Sequence, residues 1–360
     1  MWRCLALTVL SACHVVFPLD NETPDAPLDA PLDAPNTPNL VFVTSIPFMA
    51  NIGLAGADAA CRDLAAKARL DGDFVAWLSD SNSSVFDRLV GSRGWVRTDG
   101  VPVADSLDEL LARGPRVPIA VSENMTSFAT ASPAFVRTGT TLAGPAPNRN
   151  CNDWSTTDVG TFGLSGELVA GGNEFTHVAE RDCSEAQRLL CFERGKQVEV
   201  PPSAATLPIV FVTSGTWLPN GGFSGADSLC TMEASGSLPG RTFRAVITDE
   251  GSLSARFPGQ ASTVFARPDG VVVGTVLTPG TPRSTFINVT ASGAVNLANR
   301  VWTGSDRGLP SDQQACGNWS NAGAVGVVGA PYSSVATAFD LELINCTTPH
   351  PIYCAEVPEA

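Results

Sequence analysis

The chain has 360 residues, 44% of them hydrophobic and 16% charged. That is enough apolar material for at least one core and, on length, for two. With 36 acidic against 22 basic residues the net charge is −14. This balance argues against nucleic acid or an anionic membrane surface as a partner, because both are met with lysine and arginine patches.

Met1-Trp2-Arg3 followed by Cys4-Leu5-Ala6-Leu7-Thr8-Val9-Leu10 reads as a short basic start and an apolar stretch too brief to span a bilayer, the pattern of an export signal. Leu10-Ser11-Ala12-Cys13 resembles the bacterial lipobox, in which small residues precede a cysteine that is acylated and becomes the new N-terminus. The expectation is a lipoprotein signal over residues 1–13 with Cys13 as lipid anchor; the alternatives are an ordinary signal cleaved elsewhere or a mis-assigned start. Residues 14–39 hold six prolines, five acids and no base, including Asp25-Ala26-Pro27-Leu28-Asp29-Ala30-Pro31-Leu32-Asp33-Ala34-Pro35. Such a run cannot build a core and is expected to form an extended, solvated tether. Lipid is then the one expected membrane contact, and the expected location is the outer membrane or cell surface of a bacterium.

Placing Leu40-Val41-Phe42-Val43-Thr44-Ser45 over Ile209-Val210-Phe211-Val212-Thr213-Ser214 starts an internal repeat that runs nearly to the C-terminus. Gly56-Ala57-Asp58-Ala59-Ala60-Cys61 matches Gly225-Ala226-Asp227-Ser228-Leu229-Cys230, and Asp99-Gly100-Val101 matches Asp269-Gly270-Val271. The expected domains are therefore 40–195 and 208–358, joined by a linker over 196–207 that contains Pro201-Pro202-Ser203. Within the first copy, Val41 to Val43 predict a strand. Ala57, Cys61, Leu64, Ala65 and Ala68 share one helical face, and Gly72 ends that helix. Phe74, Ala76 and Leu78 alternate with more exposed positions as a strand would, and Phe243, Ala245 and Ile247 do the same in the second copy. Asp105 to Leu111 predict a shorter helix, and 112–182 long loops with short strands.

Setting aside Cys4 and Cys13 leaves eight cysteines, four per copy: Cys61, Cys151, Cys183, Cys191 and Cys230, Cys316, Cys346, Cys354. Their intervals are 90, 32, 8 and 86, 30, 8 residues. An even number at reproduced spacing in an exported chain points to a disulfide framework rather than to metal thiolates or a nucleophile. Four cysteines allow three pairings in each copy.

The run Gly-Ala-Asp-x-x-Cys, the strand Phe74 to Ser79, Cys151-Asn152-Asp153-Trp154 and Leu190-Cys191-Phe192-Glu193 resemble endostatin and related bacterial secreted domains of the C-type-lectin-like superfamily. The second copy carries the resemblance through Gly225 to Cys230, Val301 to Ser305, Cys316-Gly317-Asn318-Trp319 and Tyr353-Cys354-Ala355-Glu356. It implies an α+β fold of two tandem domains, each with two helices, an irregular mostly antiparallel sheet and long loops. It also implies nested disulfides: Cys61 with Cys191 around Cys151 with Cys183, and Cys230 with Cys354 around Cys316 with Cys346. The Glu-Pro-Asn or Gln-Pro-Asp and Trp-Asn-Asp motifs of calcium-dependent sugar binders are absent, as are the histidine cluster and the arginine-rich surface of endostatin.

No catalytic residue is assigned. The only histidines are His14, His177 and His350, no Gly-x-Ser-x-Gly is present, and the domain cysteines are taken by the framework. Asn152, Asp153, Asp158 and Asp182 are the weak candidates for oxygen ligands of Ca²⁺; the preferred reading is that they make turns beside a disulfide, so no cofactor is expected. Trp154 and Trp319 are expected to pack on disulfides. Trp95 and Trp217, with no tryptophan at the matching position of the other copy, are the better candidates for exposed contacts, the alternative for either being a place in the core. The expected function is non-enzymatic: a surface-anchored binding or adhesion lipoprotein that recognises an extracellular glycan or protein through loops near 120–182 and 278–345. The alternative is a structural protein of the cell envelope or matrix.

Overall fold

A computed structural model describes residues 37–130, 134–248, 253–278, 281, 283–304 and 311–357. The export signal, Cys13 and the tether up to residue 36 lie outside the described residues. The fold is mixed α+β, with few helices, several small sheets and four disulfides. Thr37–Ala360 forms one compact unit. No helix among the described residues is long and apolar enough to cross a membrane.

In the first repeat β1 (Asn39–Val43), α1 (Gly53–Lys67), β2 (Asp73–Ala76), α2 (Val85–Leu89), β3 (Trp95–Arg97), β4 (Pro102–Ala104) and α3 (Leu107–Arg113) follow one another. Then come β5 (Phe135–Arg137), β6 (Phe162–Glu167), β7 (Ala179–Asp182) and β8 (Leu190–Arg194). The main sheet runs β2-β8-β1-β3-β4, and a smaller one β5-β6-β7. β1 is central because its apolar run suits both faces: Val41, Phe42 and Val43 are wholly buried. Phe42, Phe74, Ala76 and Leu78 pack under α1, while Val41, Val43, Val75 and Trp77 pack on the other side.

The second repeat restates this plan with β9 (Val210–Val212), α4 (Gly222–Ser235), β10 (Phe243–Ala245), α5 (Leu253–Arg256), β11 (Val264–Ala266) and β12 (Val272–Thr275). It closes with β13 (Val301–Trp302), β14 (Val325–Gly329), β15 (Glu342–Asn345) and β16 (Tyr353–Glu356). Its sheets run β10-β16-β9 and β13-β14-β15, and a parallel bridge from Ile209 to Ala266 sets the β11-β12 hairpin where β3-β4 lies in the first repeat. The same polar anchors recur. Asp58 accepts the Ala76 N–H at 2.9 Å and holds Arg88, and Asp227 accepts the Ala245 N–H at 2.8 Å and holds Arg256. Glu193 and Glu356 each accept the N–H that opens the central strand, from Leu40 and Ile209, both at 2.8 Å. These carboxylates tie helix to strand and strand to strand, so they are preserved while loop residues change.

Two local expectations are corrected. α1 ends at Lys67 rather than at Gly72, because Arg69 takes the left-handed conformation (φ 60°) and the Arg69 and Leu70 N–H groups close the last turn on Ala66 and Ala65. Gly72 serves a close approach instead: a Cβ there would lie 2.2 Å from the Glu193 carboxylate. The β2 strand does not alternate, since Val75 and Trp77 are as buried as Phe74 and Ala76. Helix α1 covers one face, and a second apolar cluster of the first repeat, which Val271 joins, covers the other. The helix expected from Asp105 forms as α3, two residues later, capped by the Ser106 hydroxyl accepting the Glu109 N–H.

Candidate functional site

Each repeat nests one disulfide inside another. Cys61 pairs with Cys191 and Cys151 with Cys183; Cys230 pairs with Cys354 and Cys316 with Cys346. The outer bridge pins the main helix to the last strand. At the inner bridge, Cys151 to Trp154 and Cys316 to Trp319 are single left-handed turns, with φ between 50° and 61°. A left-handed turn costs an L-residue roughly 1–2 kcal/mol per position, so both repeats hold it by the disulfide and by a buried indole. Trp154 Nε1 donates to the Ser79 carbonyl and Trp319 Nε1 to the Thr248 carbonyl, each at 2.9 Å.

Asn152 and Asp153 stand on this turn, and their functional groups are spent on it. Asp153 accepts from the Ser81 N–H at 2.8 Å, from the Ser81 hydroxyl and from Asn150 Nδ2 at 2.6 Å; these hydrogen bonds hold its carboxyl below the usual carboxylate range. The Asn152 amide donates to Ser155. Asp182 serves a separate turn, accepting from the N–H groups of Gly160 and Ser184 at 2.8 and 2.9 Å. Among the described residues no group of three or more His, Cys, Asp or Glu is placed to hold a metal ion. His177 is exposed, and His350 stacks edge-on against Trp302 at 5.3 Å.

Trp95 and Trp217 are not exposed contacts. Trp95 is wholly buried with Nε1 donating to the Glu193 carbonyl, and Trp217 is 8% exposed, packed 5.7 Å from Trp319. The physical reason is local. Trp95 opens a strand paired directly to β1, and Trp217 bridges His350 beside the inner disulfide, so both indoles fall inside their cores.

A concavity lies between the repeats. Two adjoining cavities of about 460 and 330 Å³ share Arg97, Asp99 and Ser284. Their walls come from corresponding Asp-Gly turns of the two copies, Asp99-Gly100 and Asp269-Gly270, and the linker closes one side with Pro201, Pro202 and Ser203. Each turn carries the same ion pair, Arg97 with Asp99 and Arg267 with Asp269, both at 2.7 Å. The guanidiniums then diverge. Arg97 Nη1 donates to Pro118 within its own repeat, whereas Arg267 Nη1 crosses to the Arg116 carbonyl at 2.9 Å. Thr285 Oγ1 donates to that same carbonyl at 2.8 Å.

Arg283 is the unusual member of the cleft lining. It is 2% exposed, stacks on Phe339 at 4.2 Å and donates Nη1 to the Val335 carbonyl, yet its Nε and Nη2 have no hydrogen-bond partner. Burial without a carboxylate pushes its pKa down to about 10. An unmet buried donor costs about 1–3 kcal/mol. The repeated Asp-Gly-Val signature was the sequence signal for the paired turns. Nothing in the local sequence distinguishes Arg283 from a surface arginine.

No protein-family model matches the chain, and no curated protein resembles it significantly.

Proposed function

We propose that the protein is an exported, lipid-anchored binding protein whose two repeats are C-type-lectin-like domains, and that it captures an extracellular glycan or protein group in the cleft where the repeats meet. The observation that carries this reading is the cleft itself, walled by turns and loops from both copies and closed on one side by the linker, with the guanidinium of Arg283 buried in its wall. Small-ligand sites favour interfaces between domains and a mostly apolar lining with few directed polar groups, and Val101, Pro102, Pro201, Val271 and Val272 supply that lining here. The loops expected to bind, near 120–182 and 278–345, reach the cleft through Ala120, Met125, Ser127, Arg283 and Ser284. Among the described residues no nucleophile, base and orienting group come together in it; the reading proposed is non-enzymatic.

The test is binding of the purified protein to an array of glycans and matrix proteins, with Ca²⁺ and with chelator. Binding indifferent to chelator and lost in Val272→Trp, a substitution at a half-exposed position of the cleft wall, is the expected result. Calcium-dependent sugar binding would return Asp153 to a ligand role, and silence across the array would favour a structural part in the envelope. Anchoring is tested separately: Cys13→Ala releases the protein from membranes if the lipobox reading holds.

A further inference from the structure

The hairpin of the first repeat that walls the smaller of the two adjoining cavities has a counterpart in the second repeat, bond for bond. Val121 bridges Ser127 as Val289 bridges Val295, and the Met125 N–H closes on the Ser122 carbonyl as the Gly293 N–H closes on that of Thr290. The tip position is left-handed in both, with φ 62° at Met125 and 85° at Gly293. Glycine takes that conformation freely, whereas a residue with a Cβ is strained in it. The first hairpin has no slack to relieve the strain. The Ser122 hydroxyl donates to Asn124 Oδ1 at 2.6 Å and accepts the Thr126 N–H at 3.0 Å.

Packing does not account for the methionine. Met125 is 68% exposed and lines the cleft, while Gly293 lines neither cavity. The chain thus has glycine where the tip lies outside the cleft and a strained side chain where it borders the cleft. A strained residue at a solvent-open tip points to what its side chain presents, and methionine presents a flexible, polarizable apolar chain that adapts to an apolar partner.

The rest of the lining sets the chemistry of that partner. Val101, Val117 and Val271 line the larger cavity and Pro118, Ala120 and Val121 the smaller; among the described residues no aromatic ring, the usual platform for a sugar, lines either. The bordering charges are already spent, Arg97 on Asp99 at 2.7 Å, Arg116 on Glu109 at 2.6 Å and Asp269 on Arg267 at 2.7 Å. The Arg283 guanidinium is buried in the wall. What remains is an aliphatic cleft without a free counter-charge, its two halves meeting at the Arg97–Asp99 pair, and this complements uncharged apolar groups.

Resting on the cleft reading above, we propose that the ligand is an extended protein segment that places one apolar side chain in each cavity, and that Met125 is a specificity-determining contact to the one in the smaller cavity. Alternate residues of an extended segment share a face, so the two side chains are two positions apart. The Asp99 carboxylate, 34% exposed, accepts a backbone N–H between them.

Nuclear magnetic resonance of the methionine ε-methyl groups of the full chain tests this, with acetyl-Leu-Ser-Leu-amide as probe and acetyl-Ser-Ser-Ser-amide and methyl glucoside as comparisons. The Met125 signal is expected to shift with the leucine peptide alone, while those of the exposed Met49 and Met232 stay in place. Met125→Gly, which installs the residue of the second repeat, is expected to weaken the peptide by about tenfold and to melt no lower than the parent; Met125→Leu is expected to bind as the parent does. A Met125 signal unmoved by the leucine peptide, an equal response to triserine or glucoside, or a glycine variant that melts well below the parent would overturn the proposal. Binding lost in Val272→Trp but unaltered in Met125→Gly would overturn the role of Met125 and leave the cleft reading standing, whereas binding kept in Val272→Trp would overturn both.

Discussion

Ala170 and Ser333 pair with each other in an antiparallel bridge, and they are the same position of the two repeats. The register is secured on both sides: Thr138 and Thr303 donate to the Thr176 and Phe339 carbonyls, both at 2.6 Å, and Cβ atoms at Gly166 and Gly329 would meet the Phe175 and Ala338 carbonyls. An antiparallel pair of equivalent residues lies on a local two-fold axis, and the flanking bonds obey it, Gly171 N–H to Tyr332 and Ser334 N–H to Val169. At this bridge the repeats thus meet as the subunits of a symmetric dimer would.

Close packing at that axis predicts a steric test. A Cβ on Gly171 would lie 2.5 Å from the Phe286 ring of the other repeat. Gly171→Val is expected to cost about 1–3 kcal/mol in denaturant melts, the usual range for overpacking, and to speed hydrogen exchange at Ser334. Gly236→Ala, where a Cβ meets nothing within 4 Å, is the neutral control. A Gly171→Val protein that melts with the parent would refute the tight interface.

Glu109 predicts a pH dependence. Burial would push its carboxyl up, but hydrogen bonds from Arg116 and the Asp105 N–H, with the charges of Arg116 and Arg113, hold it below the usual carboxylate range. A carboxyl whose native value is depressed stabilises the fold above its unfolded value, near 4.3, and that contribution is lost as the pH falls through the native value. Arg116 also carries the carbonyl that Arg267 and Thr285 bind, so the loss should loosen the inter-repeat contact. Stability of the parent is expected to decline below about pH 4 more steeply than that of Glu109→Gln. Parallel acid profiles for the two would contradict it.

The disulfides differ in the length of chain they close, 130 residues for Cys61–Cys191 against 32 for Cys151–Cys183. On loop entropy alone, replacing the outer pair with serines should cost about 1 kcal/mol more than replacing the inner pair, within an overall range of about 2–5 kcal/mol for each bridge. Melts of the two double variants measure this. An inner pair that proved the more costly would show that holding the left-handed turn at Cys151 to Trp154 outweighs chain entropy.

Arg137 predicts a tolerant position. It is 2% exposed, donates to the Glu185 carbonyl and to Cys151 Sγ, and burial without an ion pair lowers its pKa to about 10. Trp302 stands in its place in the second repeat, against the matching cysteine. Burying a charge without an ion-pair partner is costly, and an apolar side chain of similar volume removes that cost. Arg137→Met is therefore expected to melt within about 1 kcal/mol of the parent, and a loss several times larger would show that the guanidinium holds the inner loop.

The duplication, the central strands, the two main helices and the even cysteine set were legible because each is a local pattern: a run of apolar residues, a helical spacing, a repeated interval. Gly72 and Arg69 show where such reading stops. Glycine was the obvious helix terminator by composition, but the left-handed position fell three residues earlier, and Gly72 was needed for the approach of Glu193 from a strand more than a hundred residues away. Trp95 and Trp217 show the same limit for burial, since which core receives an indole depends on strand pairing that periodicity does not specify.

By itself, then, the sequence determined that one framework is written twice, with its helices, strands and cysteines at matched positions. The tertiary structure alone decided which cysteines pair, that Ala170 meets Ser333 on a local two-fold axis, and that Arg283 and Gln187 keep N–H groups without acceptors. The reason is that spacing along a chain governs which residues share a face. Whether a buried donor finds an acceptor, or two equivalent strands meet edge to edge, is set by distances between segments far apart in sequence.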